Sequence, residues 1–145
     1  IQGVTWKVVC GLPIIDALKE ILRPIILKNK FLDYESRVRL NKTVFYVVTA
    51  PYTLGEVNGQ IAICFNEQQK KDLKESRYDE IDEANRLLLQ GKKIKPEMEE
   101  YFDKNGKLSY KELQEAEEFD GYSVIFTTAK LSKKEIVEIY FGRCA

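Results

Sequence analysis

The sequence predicts an α+β fold, and two kinds of pattern predict it. Runs of β-branched and aromatic residues at 4–10 and 122–128 have the composition of buried strands. Residues 66–90 instead carry apolar side chains at three- and four-residue steps, which is the spacing of a helix with one buried face. A small antiparallel sheet followed by helices is therefore expected.

The chain is predicted to open with a strand and a helix. The strand at 4–10 should end at Gly11, where a turn begins. A helix is expected to follow over residues 14–22, because the apolar positions recur at helical spacing until Pro24 interrupts them.

The next segments predict antiparallel strands. Residues 37–49 first alternate between apolar and charged side chains and then become fully apolar, and a tight turn at 41–42 would divide them into a hairpin. Residues 56–65 form a further strand candidate, which the turn-forming pair Asn58 and Gly59 is expected to break.

Helices are expected to dominate from residue 66 onward. The long helix at 66–90 should stop at Gly91, and Pro96 suits the first position of a short helix over 97–102. Another helix is expected at 109–119.

The last helix is expected to begin after Ser132, beyond the strand at 122–128. Ser132 and Glu135 have the spacing of a capping box, in which each side chain satisfies a free backbone N–H group at the start of a helix. Ser132 therefore marks the helix start.

Composition excludes several classes of protein. The 23 Lys and Arg balance the 23 Asp and Glu, so any contact with DNA must be local. The chain has no His, which removes the commonest general base and transition-metal ligand. Its three Cys are odd in number and widely spaced, which fits a reducing cytoplasm better than a disulfide framework. No apolar run is long enough to span a membrane.

The last third of the chain carries the most specific signal. Residues 119–127 read Phe-Asp-Gly-Tyr-Ser-Val-Ile-Phe-Thr, Leu-Ser follows at 131–132, and Tyr140 and Arg143 stand three residues apart. This series resembles the end of the catalytic domain in insertion-sequence transposases of the DDE, ribonuclease-H-like class. There the final helix carries Tyr, two residues, Arg, three residues and the catalytic Glu.

The resemblance extends backwards with less specificity. Residues 6–13 look like the strand and Gly-Leu-Pro turn that follow the second catalytic Asp of that family. Residues 36–40 and 44–47 resemble a hairpin of its insertion, and 77–82 resemble the opening of the insertion's helix.

The resemblance implies an internal segment of a transposase. Its sequence would lie between the second catalytic Asp and the catalytic Glu, which would fall two residues beyond Ala145. The opening at Ile1 without Met and the helix pattern at the end also lead us to expect an excerpt. Residues 1–29 and 119–145 would belong to the ribonuclease-H-like core, and 30–118 would form the insertion.

The parent enzyme would cut and join transposon ends with Mg²⁺ held by three carboxylates, none of which this segment supplies. Within the segment, DNA contacts are expected from Tyr140, Arg143 and three lysines, Lys92, Lys93 and Lys95. The two predicted core strands, at 4–10 and 122–128, would pair with each other or with another copy of the chain.

Simpler interpretations exist for each site. Tyr140 and Arg143 also fit an ordinary amphipathic helix, and only the neighbouring motifs favour DNA. The lysines also fit a solvated loop, and the acidic cluster at 79–83 fits the exposed side of a helix.

A non-catalytic binding module is the alternative function. Residues 103–112 resemble most of an EF-hand calcium loop, but Tyr101 stands where its first acidic ligand belongs.

Overall fold

The computed structural model describes residues 8–28 and 32–142. The chain divides into two compact units. Residues 1–67 and 122–145 form one, called here the sheet unit, and residues 68–121 form the other, the helical unit.

The sheet unit is built on five antiparallel strands in the order β1-β5-β4-β3-β2. The strands are β1 (Val9–Leu12), β2 (Arg37–Leu40), β3 (Thr43–Leu54), β4 (Val57–Phe65) and β5 (Tyr122–Thr127). Strands that are far apart in the sequence meet here, because β1 pairs with β5 from Val9↔Thr127 to Leu12↔Val124. The α+β class is confirmed. Two partners were expected for the predicted strands at 4–10 and 122–128, each other or another copy of the chain, and β1 and β5 show the first of these.

The four α-helices are α1 (Asp16–Lys28), α2 (Glu67–Leu89), α3 (Tyr110–Glu117) and α4 (Lys133–Phe141). Short 3₁₀ helices lie at Tyr34–Ser36 and Pro96–Tyr101. α1 and α4 belong to the sheet unit, whereas α3 and all but the first residue of α2 belong to the helical unit. No helix of the described residues is long and apolar enough to cross a membrane.

One core of the sheet unit lies between α4 and one face of the sheet. Strand side chains alternate between the two faces, so alternate residues of the paired strands meet Ile136 and Val137 of α4. The strand residues of this core are Val38, Phe45, Val47, Ala62, Cys64 and Ile125. Stacking of Phe141 on Phe45, with ring centroids 4.5 Å apart, holds the last turn of α4 on the sheet.

The helical unit has a smaller core, and one ion pair reinforces it. Its apolar cluster consists of Ile81, Ala84, Met98, Tyr101 and Leu113. Arg77 of α2 donates through both Nη atoms to the Asp120 carboxylate, at 2.5 and 2.9 Å. These bonds raise the pKa of the Arg77 guanidinium, which also bonds to the Tyr101 side chain. Arg77 thus fixes α2 to the chain that follows α3.

Several predicted elements are confirmed. β2 and β3 form the expected hairpin around 41–42, with Asn41 at a φ of 56° in the left-handed region. α2 is confirmed and is followed by Gly91 at a φ of 71°. Ser132 and Glu135 form the complete capping box.

Three details of the prediction were wrong. β4 runs unbroken through Asn58 and Gly59, because the β3–β4 turn lies earlier, at 55–56, between paired Leu54 and Val57. The first helix continues to Lys28 with Pro24 inside it. Pro24 removes one intrahelical hydrogen bond, but Leu18 and Leu22 of the same helix are buried, and their burial offsets that loss. Gly11 lies within β1 instead of ending the strand.

The helix expected at 97–102 forms as the 3₁₀ segment Pro96–Tyr101, one residue earlier at each end. Residues 4–7 of the predicted first strand lie outside the described residues. The predicted division into 1–29, 30–118 and 119–145 concerns a longer catalytic domain and stays a prediction. In this chain, strands from all three ranges share one sheet.

Candidate nucleic-acid interface

Tyr140 is held by a helix whose start and end are both fixed. At the start, Glu135 N donates to Ser132 Oγ at 3.2 Å and Ser132 N donates to Glu135 Oε1 at 3.1 Å. These bonds lower the pKa of the Glu135 carboxyl. Near the end, the Tyr140 ring meets the Phe141 ring edge-on at 5.0 Å. The position of Tyr140 is therefore set by capping hydrogen bonds at the start of α4 and by ring packing near its end.

The Tyr140 hydroxyl lies directly over the backbone of Gly11 in β1. A Cβ atom placed on Gly11 would lie 2.1 Å from Tyr140 Oη and 2.9 Å from Cζ, so any larger residue would displace the ring. Within the described residues, no hydrogen bond engages this hydroxyl, which leaves it available to donate to a ligand. A phosphate oxygen is a suitable acceptor.

The other predicted DNA contacts do not join Tyr140 in a described cluster. Arg143 lies outside the described residues. Lys92, Lys93 and Lys95 are exposed on the helical unit, between α2 and the 3₁₀ helix. The acid Glu83 bonds to Arg86, which lowers the pKa of the Glu83 carboxyl, and Lys92 and Lys95 lower it further through their charge. Two of the three lysines therefore have a carboxylate within electrostatic reach.

Charge is divided unevenly between the two units. The residues of the sheet unit include 12 Lys and Arg and 8 Asp and Glu, a net charge of +4. Those of the helical unit include 11 Lys and Arg and 15 Asp and Glu, a net charge of −4. The zero net charge of the chain therefore conceals a basic unit, where attraction to a phosphate backbone is strongest.

The calcium-loop resemblance at 103–112 coincides with a tightly bonded turn. Asp103 Oδ1 accepts from Asn105 N at 2.8 Å and from Lys107 N at 3.0 Å. These backbone bonds lower the pKa of the Asp103 carboxyl. Tyr101, at the first loop position, is buried in the apolar cluster. Asp103 thus acts as a turn acceptor, and calcium binding stays a prediction.

A cleft of about 630 Å³ lies in the sheet unit where β4 begins and β5 ends. Gln60 Nε2 donates across it to Ala129 O at 3.3 Å, and Lys130 is the charged side chain of its lining. Across residues 8–28 and 32–142, no three Asp, Glu, Cys or His side chains are placed to hold a metal ion.

Sequence reasoning missed the roles of two glycines. Gly11 was interpreted as a turn residue, yet it gives room to Tyr140. Gly59 was also assigned to a turn, although a Cβ there would lie 2.5 Å from Thr127 O and 2.8 Å from Phe126 Cζ. A glycine inside a strand pattern is itself a signal of close approach, and Gly59 lies inside such a pattern. Gly11 follows its predicted strand, so the signal did not apply there.

No protein-family model, curated protein or solved structure matches this chain.

Proposed function

We propose that this chain is a segment of a DDE-type DNA transposase, a protein that cuts and joins transposon ends. Its part is to support and contact DNA around an active site whose catalytic carboxylates lie elsewhere in the parent enzyme. The proposal rests first on the motifs at 119–127, 131–132 and 140–143.

One structural observation carries the proposal beyond those motifs. The two segments that resemble the transposase core, 6–13 and 119–143, stand more than 100 residues apart in the sequence. Their described parts are neighbours in space, since β1 pairs with β5 and Tyr140 of α4 lies over Gly11. A shared origin in one catalytic core accounts for this proximity, and β1 and β5 are then strands of a ribonuclease-H-like sheet.

Within this proposal the chain's own residues bind DNA and carry out no chemical step. Tyr140 donates a hydrogen bond to a phosphate oxygen, and Arg143 adds a charged contact to the backbone. Lys92, Lys93 and Lys95 are secondary contacts, because the net charge around them is negative. Mg²⁺ belongs to the parent enzyme, where it would stabilise the attacking and leaving oxygens of strand cleavage and joining.

A strand-joining assay on the protein encoded by the complete gene tests this function. With Mg²⁺ and DNA carrying the element's own ends, the complete protein should cut and join strands, and Tyr140→Phe should weaken the reaction. The 145-residue chain alone should bind DNA without nicking it. Metal-dependent nicking by the purified chain would contradict the proposal that the catalytic carboxylates lie elsewhere in the parent enzyme.

The gene sequence provides an independent test. The position four residues after Arg143 should encode Glu, and two Asp residues should precede the segment. Any other residue at that position would remove the motif on which the proposal depends.

A further inference from the structure

The exposed face of the edge strand β2 is the strongest unexplained feature of the sheet unit. β2 pairs with β3 along one side and forms an edge of the five-stranded sheet. Its side chains alternate, so that Val38 is buried in the core beneath α4 while Arg37 and Arg39 point to the opposite face. On that face their cross-strand partners, Tyr46 and Val44, are only partly buried.

The charges on this face are not neutralised within the described part of the chain. Arg37 has no carboxylate partner there. Arg39 Nε donates a hydrogen bond to Asn41 O at 3.0 Å, and both Nη groups of Arg39 stay available. Lys42 follows in the hairpin turn and is exposed. By contrast, Arg77 and Arg86 of the helical unit are both bound to carboxylates.

The spacing of the two arginines suits a regular anionic polymer. Residues two apart on a strand are about 7 Å apart, whereas each strand of a DNA duplex carries one phosphate per roughly 3.4 Å of helix axis. Two guanidinium groups at this separation can contact separate phosphates of one strand. The planar, permanently charged guanidinium is also the side chain best suited to phosphate oxygens.

We propose that Arg37 and Arg39, with Lys42 beside them, form a surface that binds the phosphate backbone of duplex DNA. This inference rests on the proposed function and deepens it, because it names a DNA-binding surface that the transposase resemblance does not assign. The surface reads no sequence, since guanidinium contacts to phosphates position a protein without distinguishing bases.

Edge protection is the competing explanation for the same residues. Charged side chains on an edge strand prevent it from pairing with the edge of another copy. That explanation predicts self-association when the charges are removed and no change in DNA affinity. The two explanations therefore predict different results for one pair of variants.

The test measures how duplex binding depends on salt. The 145-residue chain and Arg37→Gln/Arg39→Gln would be titrated with a short duplex of arbitrary sequence over a series of salt concentrations. Each lost phosphate contact reduces the slope of log K against log salt by about 0.9, so the double variant should lower it by roughly 2. Arg37→Lys/Arg39→Lys should retain most of the slope, because it keeps both charges. Arg86→Gln is the matched control and should leave the slope unchanged, since Arg86 is already paired with Glu83.

The outcomes separate this surface from the broader function. A reduced slope with unchanged thermal unfolding supports the surface. An unchanged slope in a chain that binds DNA overturns it and leaves the transposase proposal standing, and dimerisation of the glutamine variant in sedimentation would then identify edge protection. A wild-type chain that binds no duplex at low salt overturns both the surface and the proposed DNA contacts.

Discussion

The sheet unit and the helical unit use their charged residues in opposite ways. The sheet unit has a net charge of +4 and leaves Arg37 and Arg39 exposed, while its cohesion comes from paired strands and an apolar core. The helical unit has a net charge of −4 and uses Arg77 internally, in a pair with Asp120. Net charge for a whole chain can therefore conceal a difference that bears directly on nucleic-acid binding.

The largest loss of stability is expected when the buried ion pair between Arg77 and Asp120 is broken. Arg77→Met leaves the Asp120 carboxylate, which is 9% exposed, without its partner. Removing one member of a buried ion pair costs about 3 kcal/mol or more, so residues 68–121 should lose stability. Amide hydrogen exchange across the helical unit measures the loss. Arg86→Met, which breaks an exposed pair, should leave exchange unchanged, and equal effects of the two variants would contradict the role given to Arg77.

The next effect concerns close packing in the sheet unit. Gly59→Ala places a methyl group against the Thr127 carbonyl and the Phe126 ring, and the backbone cannot simply move aside. Overpacking of this kind costs about 1–3 kcal/mol, measurable as a shift in the denaturation midpoint. Lys42→Ala, at an exposed turn position, is the surface control. A Gly59→Ala variant as stable as that control would show that the sheet tolerates the added methyl.

A smaller change in stability should accompany a clear change in binding at Gly11. Gly11→Ala collides with the far end of the Tyr140 side chain, which can rotate away, so the fold should lose less than about 1 kcal/mol. Duplex binding should weaken, because the Tyr140 hydroxyl no longer occupies its place. In a Tyr140→Ala background the same substitution should have no further effect on binding. Equal effects of Gly11→Ala with and without Tyr140 would contradict the coupling.

The smallest expected effect is that of the lysines on the helical unit. Changing Lys92, Lys93 and Lys95 together to Gln should weaken duplex binding less than Arg37→Gln/Arg39→Gln, since the lysines lie in a unit of net negative charge. The salt dependence of binding measures both variants on one scale. A larger loss of duplex binding in the lysine variant would show that the helical unit, and not the sheet unit, makes the main contact with DNA.

The sequence predicted turns and helix starts correctly where the contacts that form them involve only neighbouring residues. The turn at 41–42 and the capping box of Ser132 and Glu135 involve only neighbouring residues, and both were predicted. The Asn-Gly pair at 58–59 carries an equally strong turn signal. It lies instead within a strand, because Gly59 packs against Phe126, which is distant in sequence.

The candidate site could be predicted only in part for the same reason. The sequence motifs predicted a role for Tyr140, but the match between Tyr140 and Gly11 depends on the pairing of β1 with β5, two strands that are far apart in the sequence. The exposed arginines lie in the predicted hairpin. Their free face, however, depends on which side of β2 is buried by α4, and strand alternation alone does not specify that.

The central claim is that the sheet unit, through α4 and β2, is the part of the chain that meets DNA. Titration of the isotope-labelled chain with duplex DNA, followed by backbone NMR, tests it most directly. The largest shifts should occur at Arg37, Arg39 and Tyr140, with small shifts across 68–121. Shifts confined to 68–121, or none at all at low salt, would contradict the account.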